Sequence, residues 1–196
     1  MLIDFKRTQH QFDAITVNFM ELERVNSVKV LDVTIASTLQ WNCHISDVLK
    51  KANKRMFFLI LLKRAKVPVR DIISFYLFGI RPLLEYCARL YHHALPDYLS
   101  DDIERVQKRA LSIISPGLSY LANLSLFNLN SLKDRRTEQC NKFFEPIVSN
   151  TEHKLHHFLP PKNYTTYNHI DQRQSVNPEM RTKRFSQTYL PAICRQ

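Results

Sequence analysis

Gly79 and Gly117 are the only glycines in 196 residues. Glycine takes positive φ without steric penalty, so a chain this poor in it has little material for two-residue hairpins or phosphate-cradling glycine loops over most of its length. A mainly helical fold is the expectation. An apolar share of 44% is enough to bury a core in one or two domains.

Side-chain periodicity places the elements. Over residues 1–40, Leu2-Ile3, Ala14-Ile-Thr-Val17 and Val28-Lys-Val-Leu-Asp-Val-Thr-Ile35 are rich in β-branched residues and read as strands. From Asp47 the spacing changes. Ile45, Val48, Leu49, Ala52, Met56, Leu59 and Ile60 mark one face of a long helix, with Lys50, Lys51 and Lys54 pointing away. A second helical segment runs from Val69 to about Ala94, and Pro82 must bend or split it. A third follows Pro96, with Ser100 as N-cap, Asp101 and Asp102 complementing the helix dipole, and Ile103, Val106, Ala110, Ile113 and Ile114 as its buried stripe. Pro116-Gly117 ends it. Tyr120 to Phe127 suggests a short helix, and Ser131-Leu-Lys-Asp134 resembles a capping box opening a fourth long helix to about Val148. Beyond Asn150 the chain is polar and proline-containing, and docks only through Leu155, Phe158 and Leu159. The fold class is therefore mainly α (α+β): a β-rich region over 1–40, a helical region over 41–150 and an irregular tail over 151–196.

A formal charge of +10 favours polyanionic partners, nucleic acid first, with an idle solvated surface as the alternative. Four cysteines roughly 40 to 55 positions apart form neither a disulfide framework nor paired zinc thiolates, which fits a reducing compartment. The expected location is intracellular, nuclear or cytoplasmic. Residues Met1 to Arg7 lack a secretory apolar core, and the longest apolar run, Met56 to Leu62, falls short of a bilayer span, so no membrane role is expected.

Catalytic signatures are lacking. Tyr98-Leu-Ser-Asp101-Asp102 mimics a polymerase carboxylate box, but helix capping accounts for both aspartates. Cys140, His153 and His157, with His156 as a spare, reproduce only half of a Cys2His2 spacing, so neither metal nor cofactor is expected. No nucleophile elbow, Walker loop or zinc-protease helix is present, and the chain alone is not expected to be an enzyme. Two cationic helix faces remain, Lys50, Lys51, Lys54 and Arg55 on the first long helix and Arg105, Lys108 and Arg109 on the third. They suit contact with the backbone of RNA, DNA or a hybrid without reading bases, although charged outer faces also occur on any soluble bundle. Met56-Phe57-Phe58 and Phe75-Tyr76 are expected in the core rather than stacked on bases.

Ser100-Asp-Asp-Ile-Glu-Arg-Val-Gln-Lys-Arg-Ala-Leu-Ser-Ile-Ile114 and Ile80-Arg-Pro-Leu-Leu-Glu-Tyr86, together with Lys50-Lys-Ala-Asn-Lys-Arg55, Phe75-Tyr76 and Leu95-Pro96, resemble the thumb and connection of one family. That family is the non-LTR (LINE-type, jockey-like) retrotransposon reverse transcriptases. Met1 to Phe5 resembles its palm strand after the catalytic hairpin, Val25 to Ile35 the strand that bears the primer grip and Leu39 to Ile45 the opening of the first helix; weaker matches are Ser119-Tyr120, Leu132 to Cys140 with Arg135-Arg136, Leu159-Pro-Pro161 and Arg184 to Pro191.

The resemblance implies a β palm remnant, a thumb-like bundle and a catalytically incomplete RNA-directed DNA polymerase fragment that holds template and primer. In it Leu31, Asp32 and Val33 correspond to the primer grip. Asp32 stands where the family commonly has Gly, a departure at the grip itself, and within Cys87 to His92, Tyr91 stands where the family often has Trp, a milder change. A related retrotransposon polypeptide is an implied partner. The rival readings are a protein-interaction or structural helical protein, which a severed sheet edge and exposed apolar surface would favour, and a decaying gene fragment.

Overall fold

The computed structural model describes residues 16–159, apart from Leu22 and Arg24. The strand expected at Leu2-Ile3 and the polar segment from Pro160 onward lie outside the described residues. The chain divides into two compact units, Met1–Asp47 and Val48–Gln196. As the periodicity indicates, it is mostly helical with a little antiparallel sheet near its start.

In the first unit β1 (Thr16–Val17) pairs with β2 (Met20–Glu21), and β3 (Ser27–Val30) with β4 (Val33–Ala36), both antiparallel. Val17 faces Met20 and Val30 faces Val33, so each turn has two residues. Tight hairpins therefore form without glycine. Asn18, Phe19, Leu31 and Asp32 all take positive φ, between 48° and 64°, as a type I′ turn demands. Left-handed backbone strains a residue that carries a Cβ by roughly 1–2 kcal/mol. Asp32 is tied in place by an ion pair with Lys29 at 2.6 Å. Val33 is buried, the Thr34 N–H donates to His44 Nδ1 at 3.3 Å, and Thr34 Oγ1 donates to Asp47 Oδ2 at 3.4 Å.

His44 and Asp47 belong to α1 (Asn42–Arg64), which starts several residues before the expected Asp47. Its buried stripe is the expected one, with Ile45, Val48, Ala52, Met56 and Leu59 all buried. The second helical segment breaks into pieces: α2 (Val69–Phe75), a wide π turn over Tyr76–Ile80, α3 (Arg81–Glu85) and α4 (Ala88–Tyr91). Within the wide turn the Arg81 N–H reaches back five residues to the Tyr76 carbonyl. Pro82 then sits in the first turn of α3, where its missing N–H removes no helical bond. Cys87 closes α3 in the left-handed region at φ 53°.

α5 (Asp97–Ile114) is the hub of the second unit, touching α2, α6 (Tyr120–Leu126) and α7 (Leu132–Ser149). It begins four residues earlier than a Ser100 cap requires. Ser100 is consequently not the N-cap: Pro96 holds that position, and Ser100 is buried one turn into the helix. The helix ends at Ser115, after which Gly117 takes φ 88°. Ser131 caps α7 as expected, accepting from the Asp134 N–H at 3.0 Å, but Asp134 accepts from the Ser131 hydroxyl at 2.6 Å. Ile72, Tyr76, Ile80, Leu84, Tyr91, Ile103, Leu111 and Ile114 are fully buried. No helix among the described residues is long and apolar enough to cross a membrane.

Candidate nucleic-acid interface

A groove of about 330 Å³ runs between α1 and α5, lined by Leu49, Asn53, Asp102, Arg105, Val106 and Arg109. Lower down the same pair, Lys63 Nζ donates to the Ile114 carbonyl at 2.8 Å, closing the end of α5 against α1. Lys50 and Lys54 follow the groove residues Leu49 and Asn53 by one position. They therefore sit one 100° step further round α1, exposed on the side of the helix next to the groove-lining residues. Arg105 and Arg109, one turn apart, form the opposite wall. Asp102 lies among them and pairs with Arg105 at 2.7 Å.

The seven cations expected to act together divide three ways. Arg105 and Arg109 line the groove, and Lys50 and Lys54 are exposed on the neighbouring side of α1. Lys108 turns to the other flank of α5, where its ammonium lies 5.3 Å from the centre of the Tyr120 ring. Lys51 and Arg55 occupy the opposite border of α1, where Arg55 donates to the Gly79 carbonyl in the wide turn. A helical wheel foretells this division once the packing partner of each flank is known, which sequence alone does not give.

Phe57 and Phe58 depart from the expectation of core packing. Met56 is buried, but Phe57 and Phe58 are 57% and 54% exposed, with ring centroids 5.9 Å apart in an edge-on arrangement. Of the second aromatic pair, Tyr76 is buried and Phe75 half-buried.

Two polar nodes hold the second unit together, and neither was singled out in the sequence. Gln107, fully buried, accepts from the Tyr76 hydroxyl at 2.5 Å and donates to the Tyr120 hydroxyl at 2.8 Å and the Asn130 carbonyl at 3.1 Å. Tyr120 in turn donates to Glu104. Glu104 then accepts from the Leu132 and Lys133 N–H groups, both at 3.2 Å, so a carboxylate on α5 caps the open amides of α7. Burial raises the pKa of both tyrosines, keeping their hydroxyls neutral donors. At α3, Arg135 meets Glu85 through two nitrogens, at 2.5 and 3.2 Å, and Gln139 adds a third bond at 3.1 Å.

The second node surrounds Arg136, which is fully buried. Its Nη2 donates to Ser100 Oγ at 2.9 Å and its Nε to His92 Nδ1 at 3.4 Å, while Nη1 has no hydrogen-bond partner. His92 Nε2 lies 2.9 Å from Thr137 Oγ1, whose hydroxyl donates to the Lys133 carbonyl, so the imidazole is a neutral Nε2–H tautomer. Burial, and after it the Arg136 guanidinium, push the His92 pKa down to about 3. The unfolded chain takes up this proton from about pH 6.5 downward and the folded one does not, so stability is lost as pH falls through that window. Halved for partial exposure, the expected loss between pH 7 and pH 5 is about 1 kcal/mol in urea unfolding. A His92→Gln variant, which can keep both hydrogen bonds, should show a flatter profile. An unchanged profile would contradict this role.

Leu31 and Asp32 are the turn residues of the β3–β4 hairpin, with Leu31 exposed and Asp32 paired to Lys29, while Val33 is buried. Tyr98 to Asp102 all lie inside α5. Cys140 is buried in α7, where burial raises its thiol pKa to about 11, and His156 Nδ1 contacts the Ile147 carbonyl at 2.8 Å. No group of three metal-ligating side chains is gathered among the described residues.

A family model described as the N-terminal region of alkylated DNA repair protein alkB homolog 8 matches residues 41–81, about a fifth of the chain. The matched span covers all of α1, α2 and the wide turn, and the first residue of α3. No curated protein and no solved structure matches. These findings overturn the reverse-transcriptase reading, since the matching family is a different one and no relative supports a retrotransposon origin. The primer-grip role of Leu31, Asp32 and Val33, the template-and-primer function and the retrotransposon polypeptide partner go with it. The motif residues behind that reading, Glu85, Glu104, Gln107, Arg135 and Arg136, join helices to one another in this fold. What stands is a similarity, over residues 41–81, to the N-terminal region of that DNA repair protein.

Proposed function

We propose that the helical unit binds the phosphate backbone of nucleic acid without reading its sequence, through Lys50, Lys54, Arg105 and Arg109. The observation that carries the reading is the groove between α1 and α5, with two arginines in its wall and the exposed Lys50 and Lys54 one helical step from its lining residues Leu49 and Asn53. Flexible cations that converge on a surface groove follow a chain of phosphates, whereas base readout requires side chains presented edge-on to bases. The charge of the region supports this. Between Val48 and Arg70 there are eight lysines and arginines and no acidic residue. The matched family is named for repair of alkylated DNA, which fits a nucleic-acid partner for this segment. The role is binding rather than catalysis, in a nuclear or cytoplasmic setting, and RNA, DNA and hybrid backbones all carry the charge it requires.

Asp102 supplies the internal test, because its carboxylate both repels phosphates and holds Arg105. Asp102→Asn is expected to tighten binding to a 20-base-pair duplex about threefold at low salt, equally for two unrelated sequences. Fluorescence anisotropy measures it. Unchanged or weaker binding would show that the groove is not the contact surface.

A further inference from the structure

Along the outer side of α1, Lys50, Lys54, Phe57 and Leu61 recur at spacings of four, three and four residues, so they form one stripe, with Phe58 beside it. All five are exposed, Phe57 and Phe58 by more than half, although the opposite side of the same helix is fully buried. Two adjacent half-exposed phenylalanines on a well-packed helix are not accounted for by the fold. The stripe carries cations at its N-terminal half and flat apolar rings at its C-terminal half, separated by roughly 10 Å from Lys50 to Phe57.

Resting on the backbone-binding reading above, we infer that this stripe is a platform for single-stranded nucleic acid. Lys50 and Lys54 hold phosphates while unpaired bases stack on Phe57 and Phe58. The chemistry is complementary on both counts. Phosphates need cations, and no acidic residue follows Asp47 on this helix; unpaired bases need exposed π faces, which accept every base alike. A duplex buries its bases and can use only the lysines. An anionic membrane surface is the rival partner, but insertion requires a broad apolar helix face, and that face of α1 is already buried in the core.

The test compares a 20-residue oligothymidylate with an abasic oligonucleotide of the same length, using the whole chain and a Phe57→Ala/Phe58→Ala variant. Both substitutions are on the surface and favour helix, and circular dichroism checks the fold. Wild type should bind the oligothymidylate at least about tenfold more tightly than the abasic strand. The variant should lose that preference while keeping its affinity for the abasic strand, and a Phe57→Tyr/Phe58→Tyr variant should retain it. Equal, salt-dependent binding of both strands by wild type would overturn the stacking platform and leave backbone binding intact. No binding of either strand would overturn both. Phenylalanine-dependent binding to phosphatidylserine vesicles without any base preference would overturn the platform and reassign the stripe to a membrane surface.

Discussion

Glu104→Ala is expected to lower the stability of the helical unit by about 3 kcal/mol. The carboxylate accepts from two backbone N–H groups at the start of α7, both at 3.2 Å, and from the Tyr120 hydroxyl. Hydrogen bonds to a charged group contribute roughly 1.5–3 kcal/mol each when the partner is left unsatisfied, and a carboxylate at a helix N-terminus adds up to about 1 kcal/mol. The separate losses overlap, because water reaches part of the site once the side chain is gone. Glu104→Gln should cost less, about 2 kcal/mol, since it keeps one acceptor oxygen but turns an NH2 group toward amide donors. Urea unfolding followed by far-ultraviolet circular dichroism measures both. A loss under about 0.5 kcal/mol for the alanine variant, the range of an ordinary surface change, would mean that α7 is held without this cap.

Replacing Lys50, Lys54, Arg105 and Arg109 together by alanine should weaken duplex binding about a hundredfold at low salt without destabilising the fold. Four lost phosphate contacts at somewhat under 1 kcal/mol each give that magnitude. All four side chains are exposed, and the Asp102–Arg105 pair that goes with them is a surface one that contributes little. The discriminating control is Lys51, Arg55 and Lys108 replaced together. Those three cations come from the same two helices, but they lie on other flanks, against the wide turn and Tyr120. Their loss should cost less than about fivefold in gel-shift affinity, through long-range charge alone. Equal losses in the two variants would point to diffuse attraction by a basic surface.

The buried stripes of α1 and α5 and the Ser131 cap were legible in the sequence, because each depends on spacing within a single helix. The features that escaped it depend on what a distant segment brings. Ser100 looks like a cap until Arg136, on α7, is seen to donate to its hydroxyl. Glu104 looks like an ordinary helix-surface acid until the free amides of α7 arrive beside it. Leu31 and Asp32 carry no turn signature, yet pairing of β3 with β4 forces both into positive φ. Aromatic residues at helical spacing are more often core, but of Met56, Phe57 and Phe58 only Met56 lies on the buried side of α1. Of the seven candidate cations, the helix faces were readable and the groove was not, since it exists only where α1 meets α5. The family resemblance failed for a related reason. Short apolar and charged patterns such as Ile103 to Leu111 are what α5 needs to pack on α7 and reach its amides, so they specify a bundle rather than an ancestry.

The most direct measurement is the salt dependence of duplex binding, taken for wild type and for the variant lacking Lys50, Lys54, Arg105 and Arg109. Four phosphate contacts predict that log K falls against log salt with a slope of about −3 to −4, and that the variant is nearly flat. A flat wild-type response, or the same steep slope in the variant, would contradict the assignment of this groove to the nucleic-acid backbone.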